Sequence, residues 1–159
     1  MRRPVEADFL RHDSGHLPFQ PVVITRSVIK EKRRILIVDN DQNSTQLVRI
    51  LLERSGPYLV LEENDATKAC QSARDFRPDL ILLDIIMPGT DGGEVAARIQ
   101  ADPELRNTPI IFLTGLVTRA EAKGGLRIQG HPFLAKPISI PELINAIEEH
   151  LPARVIGLE

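Results

Sequence analysis

Short apolar runs and helical stripes alternate along this chain from residue 35 to residue 151. Ile35-Leu36-Ile37-Val38 is too short for a helix and apolar at consecutive positions, the pattern of a strand buried on both faces. After Asp39-Asn40-Asp41, Leu47, Val48, Leu51 and Leu52 recur at helical spacing, with Asn43 or Ser44 as cap and Ser55-Gly56-Pro57 as stop. Tyr58-Leu59-Val60-Leu61 is a second strand. Asn64-Asp65 opens a second helix with Ala66, Ala69, Ala73 and Phe76 on its apolar face. Leu80-Ile81-Leu82-Leu83 is a third strand, ended by Asp84 and by a turn at Pro88-Gly89. Gly92-Gly93 precede a third helix with Val95, Ala96 and Ile99 inward.

Pro109-Ile110-Ile111-Phe112-Leu113 is the fourth strand, ending at Thr114-Gly115. A fourth helix over about 118–128 starts with a capping box, Thr118 and Glu121. Gly124 and Gly125 weaken it, each costing a helix interior roughly 0.5–1 kcal/mol relative to Ala. His131-Pro132-Phe133-Leu134-Ala135 is the fifth strand, ending at Lys136-Pro137. Ser139 and Glu142 form a capping box for a fifth helix with Leu143, Ile144, Ile147 and Leu151 as its stripe.

Strict alternation of strand and helix predicts an α/β fold, a five-stranded parallel sheet with helices on both faces. Right-handed crossovers leave few topologies. Pro132 lacks a donor, so the fifth strand is expected at a sheet edge. Residues 1 to about 32 show no sustained period and mix Pro4, Pro18 and Pro21 with Gly15, His12 and His16. They read as an N-terminal extension, disordered or weakly docked, in which Pro21-Val22-Val23-Ile24-Thr25 is a short strand or a docking segment.

The chain has 159 residues and a net charge of -2, which suits one domain with a sizeable core plus a tail or two. That balance gives no electrostatic case for nucleic acid. Cys70 is the only cysteine, so no intramolecular disulfide forms. No apolar run reaches the length of a membrane span, and Met1-Arg2-Arg3-Pro4 has no apolar stretch behind it. The expectation is a cytoplasmic protein with no membrane or nucleic-acid partner.

Four polar sites fall at the carboxyl ends of four strands: Asp39-Asn40-Asp41, Asp84, Thr114 and Lys136. In a parallel sheet these ends share one edge, where ligands collect in open α/β folds. Close carboxylates repel unless a cation joins them. Oxygen donors of this kind select Mg²⁺, which bridges phosphate oxygens. A carboxylate can be a nucleophile toward a phosphoryl group, and the transfer needs positioning and charge neutralisation. Lys136 supplies positive charge, and the Thr114 hydroxyl can donate to a phosphoryl oxygen.

The segments ending at Asp39, Thr114 and Lys136-Pro137, together with Pro78-Asp79-Leu80-Ile81-Leu82-Leu83-Asp84-Ile85-Ile86-Met87-Pro88-Gly89-Thr90-Asp91-Gly92, resemble the receiver domain of two-component response regulators. The resemblance covers about residues 34–151 and places the receiver domain at 33–152, with 153–159 as a tail. It implies a flavodoxin-like sheet in the order 2-1-3-4-5. It implies phosphorylation of Asp84 by a sensor histidine kinase or a histidine phosphotransfer protein, with Mg²⁺ as cofactor. Asp39, Asn40, Asp84 and the backbone carbonyl of Ile86 would hold the metal. Thr114 and Lys136 would contact the phosphoryl group. Phe133 takes the place of an aromatic switch that responds to Thr114, or is simple core. The Lys136-Pro137 bond is expected to be cis. Ile86 and Leu116 occupy the two positions flanking the path of water to the phosphoryl group. Output passes through the face of the fourth helix, fifth strand and fifth helix to a downstream protein, with a homodimer as a further option.

One departure matters. The family usually has two adjacent acids after the first strand, and here the second is Asn40. Either metal binding is weakened, or Asp41 compensates. The short stretch after the fifth helix leads to the expectation of a stand-alone phosphoacceptor module and not an enzyme. Two alternatives stand beside it: a degenerate receiver that binds partners without phosphorylation, and a haloacid-dehalogenase-type phosphatase. The last leaves the Asp84-Pro88-Gly89 segment unexplained.

Overall fold

The computed structural model describes residues 31–118, 120–121 and 127–153. All but Glu31 of these belong to one unit, Lys32–Glu159. In chain order the elements are β1 (Arg33–Val38), α1 (Gln42–Ser55), β2 (Tyr58–Glu63), a 3₁₀ turn (Ala66–Lys68), α2 (Ala69–Phe76), β3 (Leu80–Asp84), β4 (Ile86–Met87), β5 (Thr90–Asp91), α3 (Gly92–Ala101), β6 (Ile110–Thr114), β7 (Phe133–Ala135) and α4 (Ile140–His150). The main sheet runs β2-β1-β3-β6-β7, every pair parallel. This is the order 2-1-3-4-5, with the short β4–β5 hairpin set apart from the sheet.

Consecutive residues of the central strands enter two different cores. Leu36 and Val38 of β1, Ile81 and Leu83 of β3, and Ile110 and Phe112 of β6 pack with Ala69, Ala73, Val95 and Ile99 from α2 and α3. Ile35, Ile37, Leu80, Leu82, Ile111 and Leu113 pack on the other face with Val48 and Leu52 of α1 and Leu143 and Ile147 of α4. This is why the strands read as unbroken apolar runs: period-two alternation with both faces covered leaves no polar face. Each fully buried Leu or Ile contributes about 1.5–3 kcal/mol. β7 is an edge strand, as Pro132 required, but it is shorter than expected. His131 leaves the ladder and bridges to Ile128 instead.

Several local expectations are corrected. Asp41, not Asn43 or Ser44, caps α1: its backbone is extended and its side chain accepts from the Asn43 and Ser44 N–H groups. Leu47 is 58 % exposed, and Thr45 takes the inward position on the stripe with Val48 and Leu52. The second helix opens as a 3₁₀ turn capped by Asp65 and becomes α-helical only at Ala69. Ser139 is the N-cap of α4 but makes no side-chain cap bond. Pro141 in the first turn fits there because it has no N–H to satisfy.

The Thr118–Glu121 capping box is formed. The Thr118 N–H donates to Glu121 Oε2 at 2.7 Å, and the Glu121 N–H donates to Thr118 Oγ1 at 3.2 Å. Most of the rest of the span expected for the fourth helix, with Gly124 and Gly125, lies outside the described residues. So do residues 1–30 of the extension and 154–159 of the tail.

Candidate functional site

Strand register builds the site. Val38 pairs with Leu83, Asp84 with Leu113 and Thr114 with Ala135. Asp39, Asp84, Thr114 and Lys136 therefore emerge side by side at the carboxyl edge. The first three are buried, with 2 %, 5 % and 1 % of their surface exposed. Lys136 reaches back across the edge, its Nζ 2.8 Å from Asp39 Oδ2 and 3.4 Å from Asp84 Oδ2. The Lys136-Pro137 peptide bond is cis, as the resemblance implied.

The β3 end is shaped by two glycines. Gly89 has φ +73°, the left-handed region that the second central residue of a Pro-Gly turn needs. At Gly92 an added Cβ would lie 2.2 Å from the Asp84 carbonyl oxygen and 2.7 Å from Ile85 Cα. Only glycine lets α3 start this close to the strand that ends in Asp84, and the Gly92 N–H uses that approach to donate to the Ile85 carbonyl at 2.7 Å.

The two buried acids are partnered unequally. Asp39 accepts the short bond from Lys136 and a second from the Asp41 N–H at 2.9 Å. Asp84 accepts only at 3.3 Å from the Ile86 N–H and at 3.4 Å from Lys136. Charge-assisted bonds are ordinarily about 2.7–2.9 Å, so the Asp84 charge is poorly compensated. Burial, then repulsion from Asp39, push the Asp84 pKa up, against the opposing pull of Lys136. Burial opposes the Lys136 charge, but its bonds and attraction to Asp39 and Asp84 raise its pKa. Thr114 Oγ1 accepts from the Leu116 N–H at 3.0 Å, which leaves its own proton to donate into the site.

Asp41 does not join the acids. Its Oδ1 accepts from the Asn43 N–H at 3.1 Å and the Ser44 N–H at 3.3 Å, and its Oδ2 from the Ser44 hydroxyl at 2.9 Å. The Ser44 bonds, the hydroxyl first, hold its pKa below the usual carboxylate value. Asn40 is exposed. Among the described residues no three His, Cys, Asp or Glu side chains could hold a metal. A cation here would draw on two carboxylates, Asp39 and Asp84, and would have to complete its shell with neutral oxygens and water. That donor set suits a hard divalent ion, which keeps several waters, and the poorly compensated charge on Asp84 is what such an ion would relieve.

Phe133 is buried and belongs to the core on the α2–α3 face. Ile86 and Leu116 stand at the mouth of the site, 56 % and 69 % exposed. Asn64 and Thr45 were not among the site residues expected from sequence. The Asn64 amide donates to the Asp39 carbonyl at 2.7 Å and to Thr45 Oγ1 at 3.0 Å. Asn64 follows β2, at the same carboxyl edge, which is the one signal that could have found it.

The chain matches the response regulator receiver domain over residues 35–148. This chain belongs to that family. It is 33 % identical over 119 residues to the polar-differentiation response regulator DivK of Brucella anthropi, covering 75 % of this chain and 96 % of that protein. Among solved structures it is similar to the chemotaxis protein CheY4 of Vibrio cholerae, with TM-score 0.66, 26 % identity and 76 % and 99 % of the two chains covered. A response regulator from Desulfuromonas acetoxidans gives TM-score 0.62 at 26 % identity, covering 74 % and 94 %. The chain is a receiver domain of phosphorelay signalling, a signalling protein by family. No helix among the described residues is long and apolar enough to cross a membrane.

Proposed function

We propose that Asp84 accepts a phosphoryl group from a phosphohistidine on a partner kinase or phosphotransfer protein. The observation that carries this reading is the buried, under-partnered Asp84 carboxylate facing Lys136 and Thr114 at one strand edge. An Asp84 carboxylate oxygen attacks phosphorus. The P–N bond breaks, and the imidazole leaves with the electron pair. Lys136, held by Asp39 and 3.4 Å from Asp84, follows charge onto the phosphoryl oxygens, and the Thr114 hydroxyl donates to one of them. Mg²⁺ held by Asp39, Asn40, Asp84 and the Ile86 carbonyl would supply positive charge to the same oxygens. Asp39 binds Lys136 and the Asp41 N–H, so its orientation is preset.

Thr114 and Phe133 are the switch in this reading. Drawing Thr114 toward the phosphoryl group strains its bond to the Leu116 N–H and disturbs the packing around Phe133, a bias on two close-lying states. A downstream protein reads the face that includes β7 and α4. The partner that delivers the phosphoryl group needs a surface beside the site. A groove of about 230 Å³ borders Asp39 and Lys136, lined by Leu47, Val48, Leu51, Pro137, Ile138 and Ile140. The exposed Leu47 makes it an apolar landing point for a protein. Such partners place the chain in the cytoplasm and make it a phosphoacceptor, not an enzyme acting on a separate substrate.

Intact mass after incubation with acetyl phosphate tests the reading. The expected result is one phosphate gained only with Mg²⁺, and none on Asp84→Asn. A gain on that variant, or none on the wild type, overturns it. One observation favours a second reading, a binding module that works without phosphorylation: Asn40 stands where a charged metal ligand is usual. A wild-type chain that binds its partners but takes no phosphate would establish it.

A further inference from the structure

We infer that Asn64 is a positioning residue for the metal and phosphoryl site, acting through the peptide plane between Asp39 and Asn40. The inference rests on the phosphoacceptor reading of Asp84. The Asp39 carbonyl and the Asn40 N–H belong to one rigid peptide unit. The Asn64 amide donates to that carbonyl at 2.7 Å, so it sets the plane from which the Asn40 side chain departs. Asn40 is the neutral residue at the metal position, and its exposed side chain has no hydrogen-bond partner among the described residues. Its aim therefore depends on the backbone that carries it.

Asn64 is itself braced. It donates to Thr45 Oγ1 at 3.0 Å, and Thr45 is fully buried. Thr45 Oγ1 lies 2.7 Å from Glu62 Oε1, and Glu62 Oε2 accepts from Arg49 Nε at 2.5 Å. The chain Arg49–Glu62–Thr45–Asn64 thus ties α1 and β2 to the turn that presents Asp39 and Asn40. The other bonds of that turn fix different groups. The Asp39 N–H donates to the Glu63 carbonyl at 3.1 Å, the Asp39 carboxylate is held by the Asp41 N–H and Lys136, and Asp41 caps α1. Among the described residues only Asn64 donates to the Asp39 carbonyl. A weak, neutral ligand gains more from such bracing than a carboxylate would, because misaim is not offset by long-range charge attraction. Groups that orient ligands from behind typically change metal affinity by about 10–100-fold when removed.

The test compares wild type, Asn64→Leu and Asn64→His, the last carrying a ring N–H donor at similar reach. Mg²⁺ affinity is read by NMR titration, and hydrogen exchange of the Asn40 and Asp41 amides is read in the metal-free protein. Asn64→Leu should weaken Mg²⁺ binding about tenfold and speed exchange at Asn40. Asn64→His should restore both in part. Leu105→Ala, a buried change remote from the site, controls for lost stability. Unchanged affinity and exchange in Asn64→Leu overturn the role. So does a loss no larger than that of Leu105→Ala at equal melting temperature. If wild type neither binds Mg²⁺ nor takes phosphate, the phosphoacceptor reading fails and the positioning role falls with it.

Discussion

The Asp41 carboxylate accepts a hydrogen bond from the Ser44 hydroxyl at 2.9 Å. That bond, with those from the Asn43 and Ser44 N–H groups, uses both Asp41 oxygens for the start of α1. The acid next to Asn40 is a helix cap, so in the proposed metal site Asn40 has no charged understudy. Asn40→Asp should therefore tighten Mg²⁺ binding by about tenfold or more. Asp41→Ala should lower the melting temperature and leave Mg²⁺ affinity close to that of wild type. Calorimetric titration with thermal melts decides it. Equal Mg²⁺ affinity in Asn40→Asp would show that the roles are reversed.

Ile86 and Leu116 flank the mouth of the site and are both more than half exposed. They are therefore not simply covers for the core edge. Neither can orient an attacking water, so the aspartyl phosphate should be long-lived. Ile86→Asn with Leu116→Glu should speed dephosphorylation at least about tenfold, less than the roughly 10²–10⁴-fold that a fully positioned acid–base group contributes. Phosphate release from the labelled protein measures it, and an unchanged half-life in the double variant refutes it.

Gly92→Ala should be severe for a reason visible at one atom pair. The new Cβ would lie 2.2 Å from the Asp84 carbonyl, and a backbone oxygen cannot swing aside as a flexible side chain can. The expected loss is about 2 kcal/mol or more by denaturant unfolding. Labelling of the folded fraction should fall as well, because the end of β3 must shift. Full stability would mean that α3 can move off the sheet without cost.

His131 should make the domain's stability acid-sensitive. It is buried, its Nε2 has no hydrogen-bond partner among the described residues, and its ring meets Phe112 edge-on at 5.5 Å. Burial, then the nearby Arg127 charge, hold its pKa below the ordinary value of 6.5. With the folded value depressed, the unfolded chain binds the proton more readily. The stability it contributes is full above the unfolded value and is lost as pH falls through the folded one. His131→Phe, which keeps the edge contact, should melt with less dependence on pH between about 7 and 5. Parallel melting profiles for the two proteins would remove His131 from the account.

Much of this protein was determined by local order along the chain. Runs such as Leu80-Ile81-Leu82-Leu83 state their two-sided burial directly, because alternation with both faces covered leaves no polar position. Asp39, Asp84, Thr114 and Lys136 could be grouped from sequence for the same reason: parallel strands put every carboxyl end on one edge. What needed the tertiary structure was the use of residues whose type allows two roles. Asp41 could cap or coordinate, and the path of the chain into α1 brought its carboxylate to the Asn43 and Ser44 amides. Leu47 fits the helical stripe, yet the rotation of α1 against the sheet turned it outward and Thr45 inward. Asn64 looked like a helix opener, and only the packing of β2 against β1 brought its amide within 2.7 Å of the Asp39 carbonyl. A hydrogen bond selects among such roles by distance and direction, and those are set by how the elements pack together.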